Sequence, residues 1–364
     1  MSAVKWSRSL LHALVKMADV TALTHTIERA WPKGQTLWGS ANSNLYDSSI
    51  KTVPFGYPAL LYVGDWWLKR AYGSAARRLF DQRRIDAVVC YNCMQPYHQE
   101  VLRAAAEYGI PAVPIILDGR DPREDNWRQI LRQTEDAAGV ALLSYWMYKH
   151  WPRKQSLLHL DGGADAWMGG ETLRPRLDGP YRLVYTGALA KWSGALFLKN
   201  VIRQCKRNDV RFIICGKVEP GEADQLTADE RVELRGFVSE KEFQEICKSA
   251  DAFLNVRDPS VGDNVLNYPS KLPRYLSYGK PVISNHLVSL SPDYDRFLLV
   301  ARNNTVAEFE EQIERALACS VSERVALFGT IKEWFCEKKL WRVQAGRLVE
   351  WLEQLRHDKS KEGR

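Results

Sequence analysis

Pro269, Ser270 and Lys271 open a short helical stretch that runs into Gly279, Lys280 and Pro281 and then into an apolar strand, Val282-Ile283-Ser284. A turn that opens a helix presents backbone N–H groups and the positive end of the helix dipole, a natural seat for phosphate oxygens. Ser270 adds a hydroxyl donor and Lys271 a mobile positive charge, a set suited to a diphosphate. The same residues also suit an ordinary helix N-cap with a solvated lysine, and the order of the surrounding elements decides between the two. A second pair of reactive residues, Cys90 and Cys93, closes an apolar strand. No second C-x-x-C and no histidine cluster completes a zinc site around it, so no metal or redox centre is expected there.

The chain has 364 residues, more than the roughly 250–300 at which a single core stops growing, which predicts two domains. Hydrophobic residues make up 45% and charged residues 26%, the balance of an ordinary globular chain rather than a disordered one. No apolar run approaches the roughly 18 residues that span a bilayer, and the N-terminus lacks a signal-peptide apolar region. Seven scattered cysteines, an odd number, fit a reducing cytoplasm better than a disulfide framework.

The net charge is +7, and its placement matters more than its size. Lys69, Arg70, Arg77, Arg78, Arg83 and Arg84 face only Asp65 and Asp81 within one stretch, with Trp66, Trp67, Leu68, Tyr72, Leu79 and Phe80 interleaved. Trp66 to Arg84 therefore supports two readings. One is an amphipathic segment that rests on an anionic membrane surface; the other is a core-facing helix with a basic outer face. No nucleic-acid-binding motif accompanies the patch, and nucleic acid is not expected as a partner.

The elements that position these residues alternate. Trp6, Leu10, Leu14 and Met17 form a helical stripe, followed by a short strand from Val20 to Thr24. Strand patterns follow at Ile85 to Cys90, Ile110 to Leu117, Val140 to Ser144 and Leu157 to Leu160, with helical patterns between them, one of them from Gln95 to Tyr108 closed by Gly109. A loop rich in glycine and proline, with Gly169, Gly170, Pro175 and Pro180, predicts a linker over 166–180. The alternation then restarts, with strands at Arg182 to Tyr185, Val210 to Cys215, Val232 to Leu234 and Ala252 to Val256 and a helix at Glu240 to Ser249. From about Val306 to Leu355 the chain reads as helical, and Asp358 to Arg364 are expected to fray. The prediction is an α/β protein of two doubly wound, Rossmann-like domains facing across a crevice, 1–165 and 181–335, with a C-terminal helix, 336–364, packed back on the first.

The stretch from Arg182 to Asn285 resembles the retaining "group 1" family of GT-B glycosyltransferases. Tyr185-Thr186-Gly187 through Lys191 and Gly194 looks like that family's first phosphate-side loop, and Phe212 to Gly216 like its second strand and glycine. Val232 to Val238, followed by a helix and Ala250-Asp251-Ala252, is similar to its base-binding segment. The run from Pro269 to Ile283 resembles its most diagnostic stretch. The first half matches mainly in element order, including Leu158 to Asp165.

The resemblance implies a nucleotide-sugar donor bound mostly by the second domain and a glycan or lipid-linked acceptor bound by the first. It implies transfer without a metal or other cofactor; the scattered cysteines and the Trp66 to Arg84 patch add the expectation of a cytoplasmic enzyme peripheral to the membrane. Lys191 and Lys271 would lie near the phosphates with Ser270 and the N–H groups after Pro269, Leu272 among them. The backbone of Phe237 and Val238 would hold the base, Arg257 and Asn267 would reach sugar or phosphate, and Gly187 and Gly216 would allow close approach of the backbone. Asp118, at the end of a first-domain strand, stands near the family's acidic residue facing the sugar, and equally suits an Asx cap of its loop.

Two departures stand out. Leu266 and Arg274 occupy the places of the family's paired glutamates, which removes the expected clasp on the ribose hydroxyls. The chain also begins just before the helix that should follow the family's first strand, so Val20 to Thr24 is expected to lack a partner from upstream. These departures favour an alternative, a non-catalytic GT-B binding protein. A nucleotide-sugar epimerase fits less well, because the loops at the strand ends are basic.

Overall fold

The structure, a computed structural model, describes residues 3–25, 37–39, 50–54, 56–60, 63–92, 95–119, 125–171, 179–189, 193–218, 220–258 and 261–362. Lys191, Cys93, Arg120, Asp121 and the linker residues 172–178 lie outside them. The chain forms two compact units: residues 2–161 with 341–364, and residues 162–340.

The first unit opens with α1 (Ala3–Leu14), which turns Trp6, Leu10 and Leu14 inward. The helix stops at Leu14, so Met17, expected to continue the stripe, is 46% exposed. Four short strands follow: β1 (Thr21–Thr24), β2 (Trp38–Gly39), β3 (Lys51–Pro54) and β4 (Tyr57–Pro58). β1 pairs in parallel with β3, Thr21 opposite Lys51, and β2 runs antiparallel to β4. The partner for β1, expected to be lacking, is thus supplied from downstream.

Helix α2 (Val63–Gln82) then packs on α3 (Pro96–Glu107). Between and after them come β5 (Val88–Tyr91), β6 (Ala112–Ile116), α4 (Asp125–Gln133), β7 (Gly139–Leu142), α5 (Tyr145–Lys149) and β8 (Ser156–His159). Strands β5-β6-β7-β8 form one parallel sheet in that order. β6 and β7 are buried along their whole length, which explains why they read as unbroken apolar runs.

In the second unit, β9 (Tyr181–Thr186), α6 (Ala195–Gln204), β10 (Val210–Cys215), α7 (Pro220–Thr227), β11 (Val232–Gly236), α8 (Glu240–Ser249) and β12 (Ala252–Asn255) alternate. They continue through a short α9 (Leu272–Leu276) to β13 (Val282–Asn285) and β14 (Leu298–Ala301). Every pairing is parallel, and the sheet order is β11-β10-β9-β12-β13-β14. That is the Rossmann order, in which winding reverses between the first strand, β9, and the fourth, β12. Helices α10 (Val306–Ala318) and α6 close a core with Leu183, Leu198, Val201, Phe212, Leu254 and Phe309. Burying each such side chain stabilises by roughly 1.5–3 kcal/mol.

Capping sets where helices begin. Ser239 accepts from the Glu242 amide at α8, Thr305 from the Glu308 amide at α10, and a reciprocal Ser320–Glu323 pair opens α11 (Val321–Lys338). The last helix, α12 (Trp341–Glu362), belongs to the first unit. Trp341 meets Trp6 edge-on at 5.1 Å, and the Trp351 indole donates to Ser156 Oγ at 2.8 Å. The helix continues through Glu362, past the Asp358 at which fraying was expected, with Lys359, Lys361 and Glu362 good helix formers and Asp358 and Ser360 weaker ones. Among the described residues no helix is long and apolar enough to cross a membrane.

Candidate functional site

Ligands of open α/β sheets bind beyond the carboxyl ends of the strands where winding reverses. In the second unit that point lies between β9 and β12, and the backbone there is drawn tight. Gly187 follows β9 with φ +119° and Gly216 follows β10 with φ +128°. A Cβ on Gly216 would lie 2.3 Å from the Gly187 carbonyl oxygen, so only glycine fits. Gly194, with φ +94°, lets the start of α6 approach the chain at Val256 and Arg257, where a Cβ would meet Arg257 and Val256 at 3.0 Å.

Lys271 reaches this point from the turn before α9. Its ammonium lies 3.8 Å from the centre of the Tyr185 ring, and 3.7 Å from where a Cβ on Gly187 would be. Burial, then the charge of Arg257, pushes the ammonium well below the usual lysine range. The residues beneath are locked. Tyr275 stacks on Phe253 at 4.5 Å, and its hydroxyl receives the Thr186 amide at 2.8 Å. The Tyr185 hydroxyl donates to the Ala188 carbonyl at 3.0 Å. The Arg257 amide donates to Asn285 Oδ1 at 2.8 Å, which ties the loop after β12 to the end of β13. A cation held over a rigid aromatic, with a second cation acting on it, is suited to a multiply charged anion.

The structure brings together Gly187, Gly216, Arg257 and Lys271, and it does not use the whole turn as the sequence implied. The Leu272 side chain is fully buried and its amide donates to the Pro269 carbonyl at 2.9 Å, so Leu272 builds the turn. Lys271 itself holds the N-cap position of α9, without a side-chain capping bond. Ser270 and Asn267 are half-buried beside it. Phe237 and Val238 follow β11, whose last residue, Gly236, receives the Gly216 amide at 2.7 Å; the Phe237 ring is 86% exposed. Asp118 lies in the first unit, exposed, two residues past β6.

Arg274 is accounted for by a contact that the sequence did not reveal. Its guanidinium pairs with Glu240 and lies 3.9 Å from the centre of the Phe243 ring, both on α8. Tyr185 and Tyr275 were also missed as site residues. The signal was present, since Tyr275 follows Lys271 by one helical turn and Tyr185 ends a buried strand. The Cys90 thiol is buried and pushed up to about 12, which leaves it no thiolate character. Among the described residues no group of three or more His, Cys, Asp or Glu could hold a metal ion.

No protein-family model matches the chain, and no curated protein matches it by sequence. Solved structures do match. A trehalose-6-phosphate protein from E. coli bound with UDP-2-fluoro glucose superposes with a TM-score of 0.65 at 10% identity, covering 95% of each chain. A lipopolysaccharide outer core galactosyltransferase, WaaB, gives 0.64 at 14% identity, covering 96% of this chain and 95% of its own. Anabaena HepE in complex with UDP gives 0.61 at 13% identity, with 84% and 87% covered. The fold is GT-B. The reversal between β9 and β12, with its glycines and lysine, lies in the second half of this GT-B chain.

Proposed function

We propose that the protein is a glycosyltransferase moving a sugar from a nucleotide-sugar donor to a glycan or lipid-linked acceptor, in the synthesis of a surface polysaccharide or other cell-envelope glycan. The observation that carries this reading is the Lys271 ammonium over Tyr185, with the Arg257 charge acting on it, at the winding reversal of the second unit. The UDP of HepE and the UDP-2-fluoro glucose of the E. coli protein favour a uridine diphosphate donor.

The physical problem in such a transfer is charge. As the bond between sugar and diphosphate breaks, negative charge grows on the leaving oxygen, and donors already in place stabilise it without reorganisation. Lys271 and Arg257 fill that role, aided by Ser270 and, as the resemblance implies, Lys191, so the reaction needs no metal. The Gly187 and Gly216 backbone admits the phosphates, and Phe237 and Val238 hold the base. As the resemblance implies, Asn267 reaches the sugar, Asp118 takes the place of the family's acidic residue, and transfer proceeds with retention.

The protein works at the cytoplasmic face of a membrane, docked through α2. That helix buries Leu68, Tyr72 and Ala76, while Val63, Trp66 and Trp67 are exposed at its start and Arg70 lies over Trp66. Of its basic residues, Lys69 and Arg77 pair with Glu100 and Glu107, so the exposed tryptophans share the docking with the remaining charge.

A second reading, a GT-B binding protein without turnover, is favoured by Arg274, which is engaged by α8 where the family has a glutamate. One experiment separates the two. Incubation with UDP-glucose, UDP-galactose and UDP-N-acetylglucosamine, without added metal, should release free sugar and UDP from at least one of them. UDP binding with no release from any donor would leave the binding protein standing and remove the enzyme.

A further inference from the structure

Five rings from four elements meet in the first unit, among them Tyr72 from the buried face of α2. His25 directly follows β1, and its ring stands edge-on to Tyr57 at 5.4 Å, Tyr72 at 5.5 Å and Tyr97 at 5.3 Å. Its Nδ1 lies 2.7 Å from the Tyr72 hydroxyl. Tyr72 from α2 and Tyr97 from α3 stack at 4.6 Å, and His98 tilts against Tyr97 at 4.6 Å. His25, Tyr97 and His98 are only half-buried, so the cluster borders the surface.

Two polar atoms of this unit are buried without a hydrogen-bond partner: His98 Nδ1, in the cluster, and Asn92 Oδ1, four residues before α3 begins. Asn92 directly follows β5 in a left-handed conformation, φ +53°, which asparagine adopts more readily than most residues other than glycine. Buried polar atoms are nearly always satisfied, so both orphans call for a partner.

We propose that these rings and polar atoms, at the carboxyl ends of β1 and β5, form a subsite for one uncharged pyranose, the terminal sugar of a glycan acceptor. The inference rests on the glycosyl-transfer reading. The carboxyl ends of parallel strands are where this architecture takes ligands. The C–H faces of a pyranose pack on aromatic rings, and its hydroxyls both donate and accept. Asn92 Oδ1 accepts only, so its partner must bring a proton; a fully ionised phosphate has none to give. Flanking charges on α2 and α3 are engaged with one another, Lys69 and Arg103 with Glu100, and Arg70 over Trp66. Burial, and then the charge of His25, pushes the His98 imidazole down to about 4, so it presents a neutral ring at physiological pH.

The test is saturation-transfer NMR on the full chain with methyl β-glucopyranoside, methyl β-galactopyranoside and methyl α-mannopyranoside, with inorganic phosphate as competitor. At least one glycoside should receive saturation and keep it when phosphate is added. Asn92→Gly removes the carbonyl while relieving the left-handed backbone, so it should fold well and yet bind about tenfold more weakly. Tyr97→Ala should lose binding and Tyr97→Phe should retain it. The subsite falls if no glycoside is saturated, if phosphate displaces it, or if Asn92→Gly binds like the parent. UDP calorimetry on the same samples separates this from the broader reading. Glycoside binding without UDP binding would sink the transferase and keep the subsite; UDP binding with no glycoside signal would do the reverse.

Discussion

Lys271 is where the chemistry of this chain is most exposed to test. Lys271→Ala should lower turnover by the loss of a charge-assisted bond to the diphosphate, roughly 1.5–3 kcal/mol, while the melting temperature stays near that of the parent. Full activity with a lower melting temperature would make Lys271 structural. Burial and Arg257 hold the Lys271 ammonium below the usual lysine range, and a diphosphate beside it should shift it back up. A pH series of UDP affinity should therefore show a dependence on the alkaline side that is absent in Lys271→Met. His98 gives a separate signature. Its folded imidazole titrates near 4, against about 6.5 when unfolded, so below pH 6.5 the unfolded chain takes up a proton that the folded one refuses. Stability should fall by up to roughly 1.4 kcal/mol per pH unit between those values, and His98→Gln should flatten the difference in urea midpoints. At this scale Lys271 was legible because a turn residue before a helix has one place to go. The partner of Arg274 was not, since Glu240 stands thirty-four positions away and nothing local links them.

Elements with a strong pattern came through the sequence with their bounds intact. β10 and α8 span the expected Val210 to Cys215 and Glu240 to Ser249, the first a buried apolar run, the second opened by a Ser239 cap. β3 was invisible because Lys51–Pro54 offers four residues, begins with a charge and ends in proline; its strand character comes from pairing with β1. β14 was hidden by its shortness and by the lack of a glycine to close it. Helix α2 has the inner face on the core and the outer face in solvent that the core-facing reading of Trp66 to Arg84 requires, and docking of that outer face on a membrane is the part left to experiment. Vesicles rich in anionic lipid should float the protein at low salt, and added salt should weaken this. Trp66→Ser with Trp67→Ser should abolish it, and equal recovery with neutral vesicles, or none with either, would remove the docking surface.

The whole molecule is two units, of which only the second, 162–340, is continuous in sequence. The first needs α12. Trp351 fills the space beside Gly139, where a Cβ would come within 2.6 Å of its ring, and Arg347 donates to the His159 carbonyl at 2.9 Å. Trp351→Ala should cost roughly 3–5 kcal/mol and open the first unit to protease, while UDP still protects the second. In the parent, UDP at about 100 times its dissociation constant should add about 2.7 kcal/mol to the transition it stabilises. This division also orders events on the ribosome. Residues 162–340 have all their partners before the last helix is made, whereas the first 160 or so residues wait for Trp341 and Trp351. The half synthesised first is therefore the half that matures last, against the usual N-to-C sequence of domain folding. Nascent chains released early would carry an assembled second unit joined to an unfinished first one, with Trp6 and the β8 edge open to whatever holdase waits at the tunnel exit.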